Sequence, residues 1–301
     1  MPLKAYRRLF RDDTALPLPG GRVRMTFFGT TTCLLDDGET QILLDAHLTR
    51  PSLPAMLFGG LKTNTAVVDE VLRAFPMDRL AAIFVSHTHY DHVLDAACLA
   101  SKTGAVLCGS RSAVNVGLGG GVPQARLRQF SAGETLRFGA FAVTILPSIH
   151  SKPNFLNDDL GVEITEPLAQ PARKRDYTEG GSFDFLIRHG EDTLLVRPSC
   201  NYIPGALRGI RADTMLLGIG TMGKENREFM DAFWDETVKT VDAKRLIPIH
   251  WDNFFRPLRA PLSPQTRLGD NVPRSLDYLL PRCAAEGRTL ELVDAFASVI
   301  L

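Results

Sequence analysis

The sequence has 301 residues, enough for one large domain or two small ones, and 45% of them are hydrophobic, which suffices for a substantial core. Basic and acidic residues number 34 each, so the net charge of zero gives no electrostatic reason to expect nucleic acid as the main partner. The five cysteines are odd in number and widely spaced, which argues against a disulfide framework and indicates either a reducing compartment or merely free thiols.

Residues 1–21 contain basic residues, prolines and a Gly-Gly pair but no apolar run. We therefore predict a loose lead-in rather than an export signal. No segment approaches the roughly 20 apolar residues of a transmembrane helix. Residues 22–301 are predicted to form a single domain, and the protein is expected to be cytoplasmic.

Short strands dominate the first part of the chain, and helices separate the later strands. The predicted elements are, in order, a strand at 23–28, a hairpin of 32–35 with 41–44, a long loop at 49–65, a helix at 66–75, a strand at 81–85, a helix at 93–101, a strand at 105–108, hairpins around 138–145 and at 183–187 with 193–196, a strand at 215–219, a helix at 227–241 and a strand at 245–249. The long loop is either a lid over a site or a loop packed on the core. This pattern predicts an α/β fold in which two mixed sheets pack together with helices outside, a four-layer αββα arrangement.

A cluster of metal-binding side chains follows the predicted strand at 81–85. It consists of His87, His89, Asp91 and His92. In an extended chain residues two apart point the same way, so His87 and His89 can reach one metal ion, and after a turn Asp91 and His92 can reach a second. Imidazole and carboxylate groups suit zinc, and iron or manganese are further candidates.

This HxHxDH motif after a strand resembles the signature of the metallo-β-lactamase superfamily, and the resemblance extends over residues 22–255. It implies that the first metal ion is held by His87, His89 and His150, and the second by Asp91, His92 and His250. Asp45, at the end of the opening hairpin, is implied to orient a metal ligand. Within the superfamily the chain looks most similar to the branch of ascorbate-6-phosphate lactonase and N-acyl-phosphatidylethanolamine phospholipase D.

One position departs from the pattern of this superfamily. Most of its hydrolases carry a Gly-Asp pair after the strand that matches 193–196, and that Asp bridges both metal ions. Here the sequence reads Arg197-Pro198-Ser199-Cys200. The true β-lactamases of the family bind the second zinc ion through a cysteine at this place, so Cys200 is predicted to be a ligand. The alternative is a small buried cysteine that packs in the core.

The resemblance implies a dinuclear zinc hydrolase whose metal-bound hydroxide attacks an ester, lactone, amide or phosphodiester. Asp91 is further predicted to act in catalysis, by orienting the nucleophile or moving its proton. Side chains next to the predicted ligands are candidates for contact with a small-molecule substrate. They are Lys152, Asn154, Asn201, Tyr202, Trp251 and Asn253.

Other functions fit parts of the sequence. Diiron redox proteins of this fold usually have a carboxylate in place of His89 and an added flavin domain, and nucleases usually have an extra domain or a basic arm. Neither pattern is found in this sequence. A metal-stabilised binding protein without catalysis stays open because the bridging Asp is missing, and β-lactam hydrolysis stays open as a side activity. His189, in a predicted hairpin turn, is expected to be solvated.

Overall fold

The structure is a computed structural model that describes residues 3–153 and 157–301. Its strands are β1 (Phe10–Arg11), β2 (Arg24–Phe27), β3 (Cys33–Asp36), β4 (Gln41–Leu44), β5 (Leu80–Phe84), β6 (Val106–Gly109), β7 (Leu127–Gln129), β8 (Thr135–Phe138), β9 (Phe141–Pro147), β10 (Phe183–His189), β11 (Asp192–Arg197), β12 (Thr214–Gly218), β13 (Arg245–Ile249), β14 (Thr289–Leu290), β15 (Leu292–Val293) and β16 (Ser298–Ile300). Its α-helices are α1 (Leu53–Phe58), α2 (Thr65–Ala74), α3 (Tyr90–Val93), α4 (Ala96–Thr103), α5 (Arg111–Gly119), α6 (Arg227–Trp234) and α7 (Val272–Ala285). A π-helical turn, Asp235–Lys239, continues α6 and completes the helix predicted at 227–241.

Two seven-stranded mixed sheets form the central layers. One has the strand order β16-β2-β3-β4-β5-β6-β7, and the other has the order β14-β13-β12-β11-β10-β9-β8. Each sheet is antiparallel in one half and parallel in the other, as the pairs β3–β4 and β4–β5, and β9–β10 and β11–β12, illustrate. With helices packed outside, this is the predicted four-layer αββα arrangement, which is confirmed.

Side-chain alternation along the strands sends apolar residues into two cores. In β4, Ile42 and Leu44 join the core between the sheets, whereas Leu43 joins the core under α2, α4 and α5. Helix α6 buries Phe233 and Trp234 in the first of these cores. Burial of each such side chain stabilises the fold by about 1.5–3 kcal/mol.

The N-terminal segment differs from the predicted loose lead-in. Leu3, Tyr6 and Leu9 are buried in the main core, and Lys4–Leu9 forms a 3-10 helix. Strand β1 pairs in parallel with β15 near the other end of the chain. The segment therefore belongs to the same packed unit as the rest of the described chain, because its apolar residues are spaced to face one side of the short helix.

The long loop predicted at 49–65 contains helix α1, which Ser52 caps by accepting a hydrogen bond from the Ala55 amide at 3.4 Å. Met56 is buried, whereas Leu57 and Phe58 are exposed, Phe58 to 88%. The segment thus packs on the core through one side and leaves an apolar edge on the other. Among the described residues, no helix combines the length and the apolar character that crossing a membrane requires.

Candidate metal centre

The candidate ligands lie in segments that follow strand ends. The HxHxDH segment follows β5, with His87 and His89 in the loop and Asp91 and His92 in the short helix α3. The third histidine of the first set follows β9, and the last histidine follows β13 directly. The two sheets thereby bring residues that are distant in sequence to one end of the sandwich.

The first trio consists of His87, His89 and His150. One ligand atom from each lies within 4.8 Å of the others, and His89 Nδ1 is 3.3 Å from His150 Nε2. His150 Nδ1 lies 3.0 Å from the carbonyl oxygen of Ser151, so its proton belongs on Nδ1 and its Nε2 lone pair is free. His87 Nε2 is buried and has no hydrogen-bond partner among the described residues. Such an unsatisfied buried nitrogen is unfavourable, and a bound metal ion would satisfy it.

The second trio consists of Asp91, His92 and His250, whose ligand atoms also lie within 4.8 Å of one another. Asp91 Oδ2 is 3.5 Å from His250 Nε2 and 3.8 Å from His92 Nε2. The side chains of Asp91 and His250 are 12% and 16% exposed, so the centre opens to solvent on this side. The ring centroids of His87 and His92 are 3.7 Å apart, which makes the two trios direct neighbours.

Asp45 anchors the second trio from behind. Its carboxylate is 1% exposed and accepts hydrogen bonds from the Ser86 amide at 2.7 Å, the Ser86 hydroxyl at 2.9 Å and the Thr31 hydroxyl at 2.5 Å. Its Oδ2 also lies 2.7 Å from His92 Nδ1. A proton held on Nδ1 leaves the His92 Nε2 lone pair facing the trio, as in the carboxylate–histidine–metal arrangement of many metalloproteins.

Burial and neighbouring groups keep His87, His150 and Asp91 in the protonation states that metal binding needs. Burial, together with the adjacent imidazoles, holds the pKa of His87 well below its usual value and lowers the pKa of His150 to about 3, so both are neutral at pH 7. Burial alone would raise the pKa of Asp91, but His92, His250 and His89 outweigh it and hold that pKa well below its usual value. Burial lowers the pKa of His250, but the adjacent Asp91 outweighs it and raises that pKa above its usual value, so a bound metal ion would have to displace this proton. The donor set therefore fits two cations.

A buried ion pair fixes the loop that carries His250. Arg50 Nη2 and Asp252 Oδ2 are 2.7 Å apart, and both side chains are fully buried. Asp252 Oδ1 accepts a hydrogen bond from the Thr30 amide at 2.7 Å, and the His250 amide donates to the Thr30 carbonyl at 2.6 Å. A Cβ on Gly29 would lie 1.8 Å from Arg50 Nη2, so only glycine leaves room for the pair. Sequence reasoning missed this pair because the two residues show no shared local pattern.

Left-handed backbone conformations cluster around the centre. Thr30, Asp45 and His250 have φ values of 51°, 50° and 59°, which non-glycine residues adopt rarely. Each stands at the point where the chain leaves a strand or crosses toward the ligands. Strain of this kind, on the order of 1–3 kcal/mol for each residue, is characteristic of functional sites.

The side chains predicted to contact substrate occupy different environments. Lys152 pairs with Glu225 at 2.6 Å and lies 4.0 Å above the ring of Phe229. The Asn201 side-chain amide donates to the carbonyl of His150 at 2.7 Å, so it supports a ligand. Tyr202 is partly buried, with its ring centroid 5.7 Å from that of Phe229.

Two of the predicted substrate contacts follow β13. Trp251 is 0% exposed and its ring packs edge-on against Phe10, so the prediction that it lines the cleft does not match its position in the core. Asn253 is 7% exposed, and its Oδ1 accepts a hydrogen bond from the Phe255 amide at 3.1 Å. Asn154 lies outside the described residues.

Cys200 is 2% exposed and follows β11, as expected for the loop where the family places its bridging residue. Its amide donates to the Ser151 hydroxyl at 3.1 Å, which ties it to the residue after His150. Burial raises the pKa of its thiol. Cys200 belongs to neither trio of closely spaced ligand atoms in the described chain, so its role as a ligand stays a prediction.

Asp159 was not predicted from the sequence. Its carboxylate oxygens lie 3.1 and 3.3 Å from His89 Nε2, on the side of the ring opposite to His150. Burial opposes ionisation, but the contact with His89 holds the pKa of Asp159 below its usual value. The two residues are 70 positions apart, and no local pattern links them.

Comparison with known proteins agrees with this fold. A family model described as a beta-lactamase superfamily domain matches residues 40–251, well over half of the chain. The chain therefore belongs to the metallo-β-lactamase superfamily, and the family predicted from the sequence is confirmed. Its placement in the branch of the lactonase and the phospholipase stays a prediction.

Relatives with similar sequences carry the name metal-dependent hydrolase. A UPF0173 metal-dependent hydrolase of Chloroflexus aurantiacus is 28% identical over 211 residues, which cover 69% of this chain and 79% of the relative. A second, of Anaeromyxobacter dehalogenans, is 30% identical over 241 residues, which cover 78% of this chain and 76% of the relative. In fold, the chain is similar to Igni18, a metallo hydrolase of Ignicoccus hospitalis, with a TM-score of 0.58 and 17% identity over 93% of this chain and 98% of that one.

Proposed function

We propose that this member of the metallo-β-lactamase superfamily is a hydrolase that binds two zinc ions and cleaves an ester, lactone, amide or phosphodiester. The observation that carries the proposal is the pair of adjacent trios, each with three ligand atoms within 4.8 Å. Their proximity, with 3.7 Å between the rings of His87 and His92, suits two metal ions that share a water molecule.

Two metal ions at this place would lower the pKa of a water molecule and polarise the electrophilic carbon or phosphorus. The protein's own residues would bind the metal ions and orient the attacking water. Burial would keep the imidazoles of His87 and His150 neutral, and hydrogen bonds would orient those of His89 and His150 so that their lone pairs converge. Asp91 stands at the open face, where its carboxylate can orient the attacking water or accept its proton.

Zinc is the metal we propose because imidazole is the main donor in both trios. Two imidazoles and one carboxylate, the donor set of the second trio, also suit iron(II), and manganese prefers oxygen ligands. Metal analysis of the purified protein should therefore cover all three elements. We further propose that the protein is cytoplasmic, which its five free cysteines support.

We keep Cys200 as a proposed further ligand of the second metal ion. Its position after β11 and its hydrogen bond to Ser151 support a place near the centre. A metal ion would deprotonate the thiol despite its burial. The test compares zinc content in Cys200→Ala with that in Cys283→Ala, a matched control because Cys283 is 1% exposed and lies in α7. Loss of one ion only in Cys200→Ala is expected, and unchanged content in both variants would remove Cys200 from the centre.

The substrate is proposed to be a small molecule that enters from the side where Asp91 and His250 retain partial solvent exposure. Phe254, whose ring lies 5.5 Å from that of His250, offers an apolar wall there. Lys152, half exposed, and Tyr202 are the proposed polar contacts, since Asn201 and Asn253 are engaged in supporting the backbone.

A substrate screen with metal control tests the proposal. The chelator-stripped protein should be inactive toward ester, lactone, amide and phosphodiester probes, and added zinc should restore cleavage of at least one class. His150→Ala should stay inactive at the same zinc concentration. Full activity of the stripped protein would contradict the proposal, as would inactivity toward all four classes in protein loaded with two zinc ions, which would favour a metal-stabilised binding protein.

A further inference from the structure

We propose that Asp159 is a positioning residue for the first metal ion, because its carboxylate holds the proton of His89 on Nε2 and so turns the Nδ1 lone pair toward His87 and His150. This inference rests on the proposed function, since it concerns the metal that the first trio would bind. It names a group that the sequence motif does not contain.

The geometry around His89 leaves one consistent arrangement of its proton. Both carboxylate oxygens of Asp159 lie 3.1 and 3.3 Å from Nε2, and an ionised carboxylate can only accept a hydrogen bond. On the other side, Nδ1 faces His150 Nε2 at 3.3 Å. Because His150 carries its own proton on Nδ1, toward the carbonyl of Ser151, its Nε2 presents a lone pair. The two lone pairs converge where a cation would bind.

The loop around Asp159 is fixed to the metal loop. The Thr88 amide donates to the carbonyl of Glu179 at 2.9 Å, and the Glu179 carboxylate accepts from the Gly161 amide at 2.8 Å. The Val162 amide in turn donates to the carbonyl of Asp159 at 3.0 Å. Thr88 directly precedes His89, so this chain of hydrogen bonds sets the distance between His89 and Asp159.

Close packing supports the same placement. A Cβ on Gly180, whose φ is +69°, would lie 2.4 Å from Thr88 Oγ1, so glycine allows the loop to approach the metal loop. Glu179 is 3% exposed and the Asp159 side chain is 20% exposed. Both carboxylates therefore lie at the edge of the centre rather than in bulk solvent. Asp159 thus contacts His89 in the same way that Asp45 contacts His92: in each pair a carboxylate faces one ring nitrogen and leaves the other nitrogen directed toward its trio.

The tautomer of His89 in metal-free protein is a direct readout of this role. We would record long-range ¹H–¹⁵N spectra of histidine-labelled protein at pH 8.5, where a free imidazole is neutral, and assign His89 by its loss in His89→Gln. The expected result is a proton on Nε2 in the wild type and a mixture of tautomers in Asp159→Ala. A proton on Nδ1 in the wild type would overturn the inference. This measurement needs no bound metal, so it stands apart from the outcome of the proposed function.

Zinc affinity gives the second readout. In competition with a chromophoric chelator, Asp159→Ala should bind one of its zinc ions about 10- to 100-fold more weakly than the wild type, the range typical of lost partners of metal-bound histidines. Asp159→Asn, whose amide oxygen can accept the same hydrogen bond, should recover part of this loss. The matched control is Asp158→Ala, since the neighbouring Asp158 is exposed.

The outcomes separate the two claims. Equal zinc affinity in Asp159→Ala and Asp158→Ala would overturn the role of Asp159 while leaving the proposed function intact. Absence of zinc binding in the wild type would overturn the proposed function, and the tautomer of His89 would still decide the role of Asp159. If Asp159→Ala does not fold, the wild-type tautomer and the affinity of Asp159→Asn carry the test.

Discussion

Replacement of Asp45 by alanine should uncouple the second trio from the strand that supports it. The carboxylate is 1% exposed and receives the Ser86 amide and His92 Nδ1, both at 2.7 Å. The hydroxyls of Thr31 and Ser86 also donate to it, but they can rotate toward other acceptors. Asp45→Ala therefore leaves the buried Ser86 amide without a partner and leaves His92 Nδ1 with only neutral hydroxyl partners, the nearest being that of Thr31, 2.9 Å away.

One buried donor, the Ser86 amide, is left unsatisfied, which costs about 1–3 kcal/mol, so the metal-free protein should lose about that much of its free energy of unfolding. Because His92 loses its carboxylate partner, the affinity of the second trio for its metal ion should also fall by about 10- to 100-fold. Urea unfolding of stripped protein and chelator competition with zinc measure the two effects separately.

The matched control is Asp37→Ala. Asp37 forms the same kind of pair, with its Oδ2 2.9 Å from His189 Nε2, in the turn at the opposite end of β4. Both variants should be less stable than the wild type, but only Asp45→Ala should lose zinc affinity. Equal zinc affinity in the two variants would refute the claim that Asp45 acts through His92 on the metal centre.

Three further predictions follow from the structure. Gly29→Ala should be about 3–5 kcal/mol less stable than the wild type in urea unfolding, because its Cβ displaces a buried guanidinium. The control Gly21→Ala, with φ of +77° and open space around it, should cost only the left-handed backbone penalty of about 1–2 kcal/mol. Equal losses of stability in the two variants would contradict the clash at Gly29. The metal-free protein should become less stable as the pH falls from 6.5 to 4.5. The pKa values of His87 and His150 are depressed in the folded chain, so over that range the unfolded chain binds protons that the folded chain does not. A melting temperature that rises as the pH falls over that range would contradict this prediction. Asp91→Ala should remain folded by circular dichroism but lose at least about 100-fold in kcat/KM, and near-wild-type turnover would exclude its catalytic role.

The sequence predicted those parts of the centre that are encoded locally. His87, His89, Asp91 and His92 form a motif within six residues, and a strand with a clear apolar pattern precedes it. His150 and His250 were placed by the order of strand ends in the family that the motif resembles. The strands themselves followed from apolar alternation, and most predicted strands lie within a few residues of the observed ones.

Features that depend on tertiary packing were missed or wrong. Asp159 contacts His89 across 70 residues through a loop whose course no local pattern sets. His189 was expected to be solvated, but the facing turn brings Asp37 to its ring and buries it to 8% exposure. Trp251 adjoins a ligand in sequence, yet the left-handed conformation of His250 turns the chain so that the indole enters the core. Helix α7 was not predicted, because its two prolines disguise the helical pattern.

The two adjacent trios are proposed to hold one metal ion each. Elemental mass spectrometry of the wild type, His150→Ala and His250→Ala, each stripped and then reconstituted with zinc, tests this proposal most directly. We expect two ions per chain in the wild type and one in each variant, because each substitution removes a ligand from a different trio. A wild-type protein that retains one ion or none after reconstitution would contradict it.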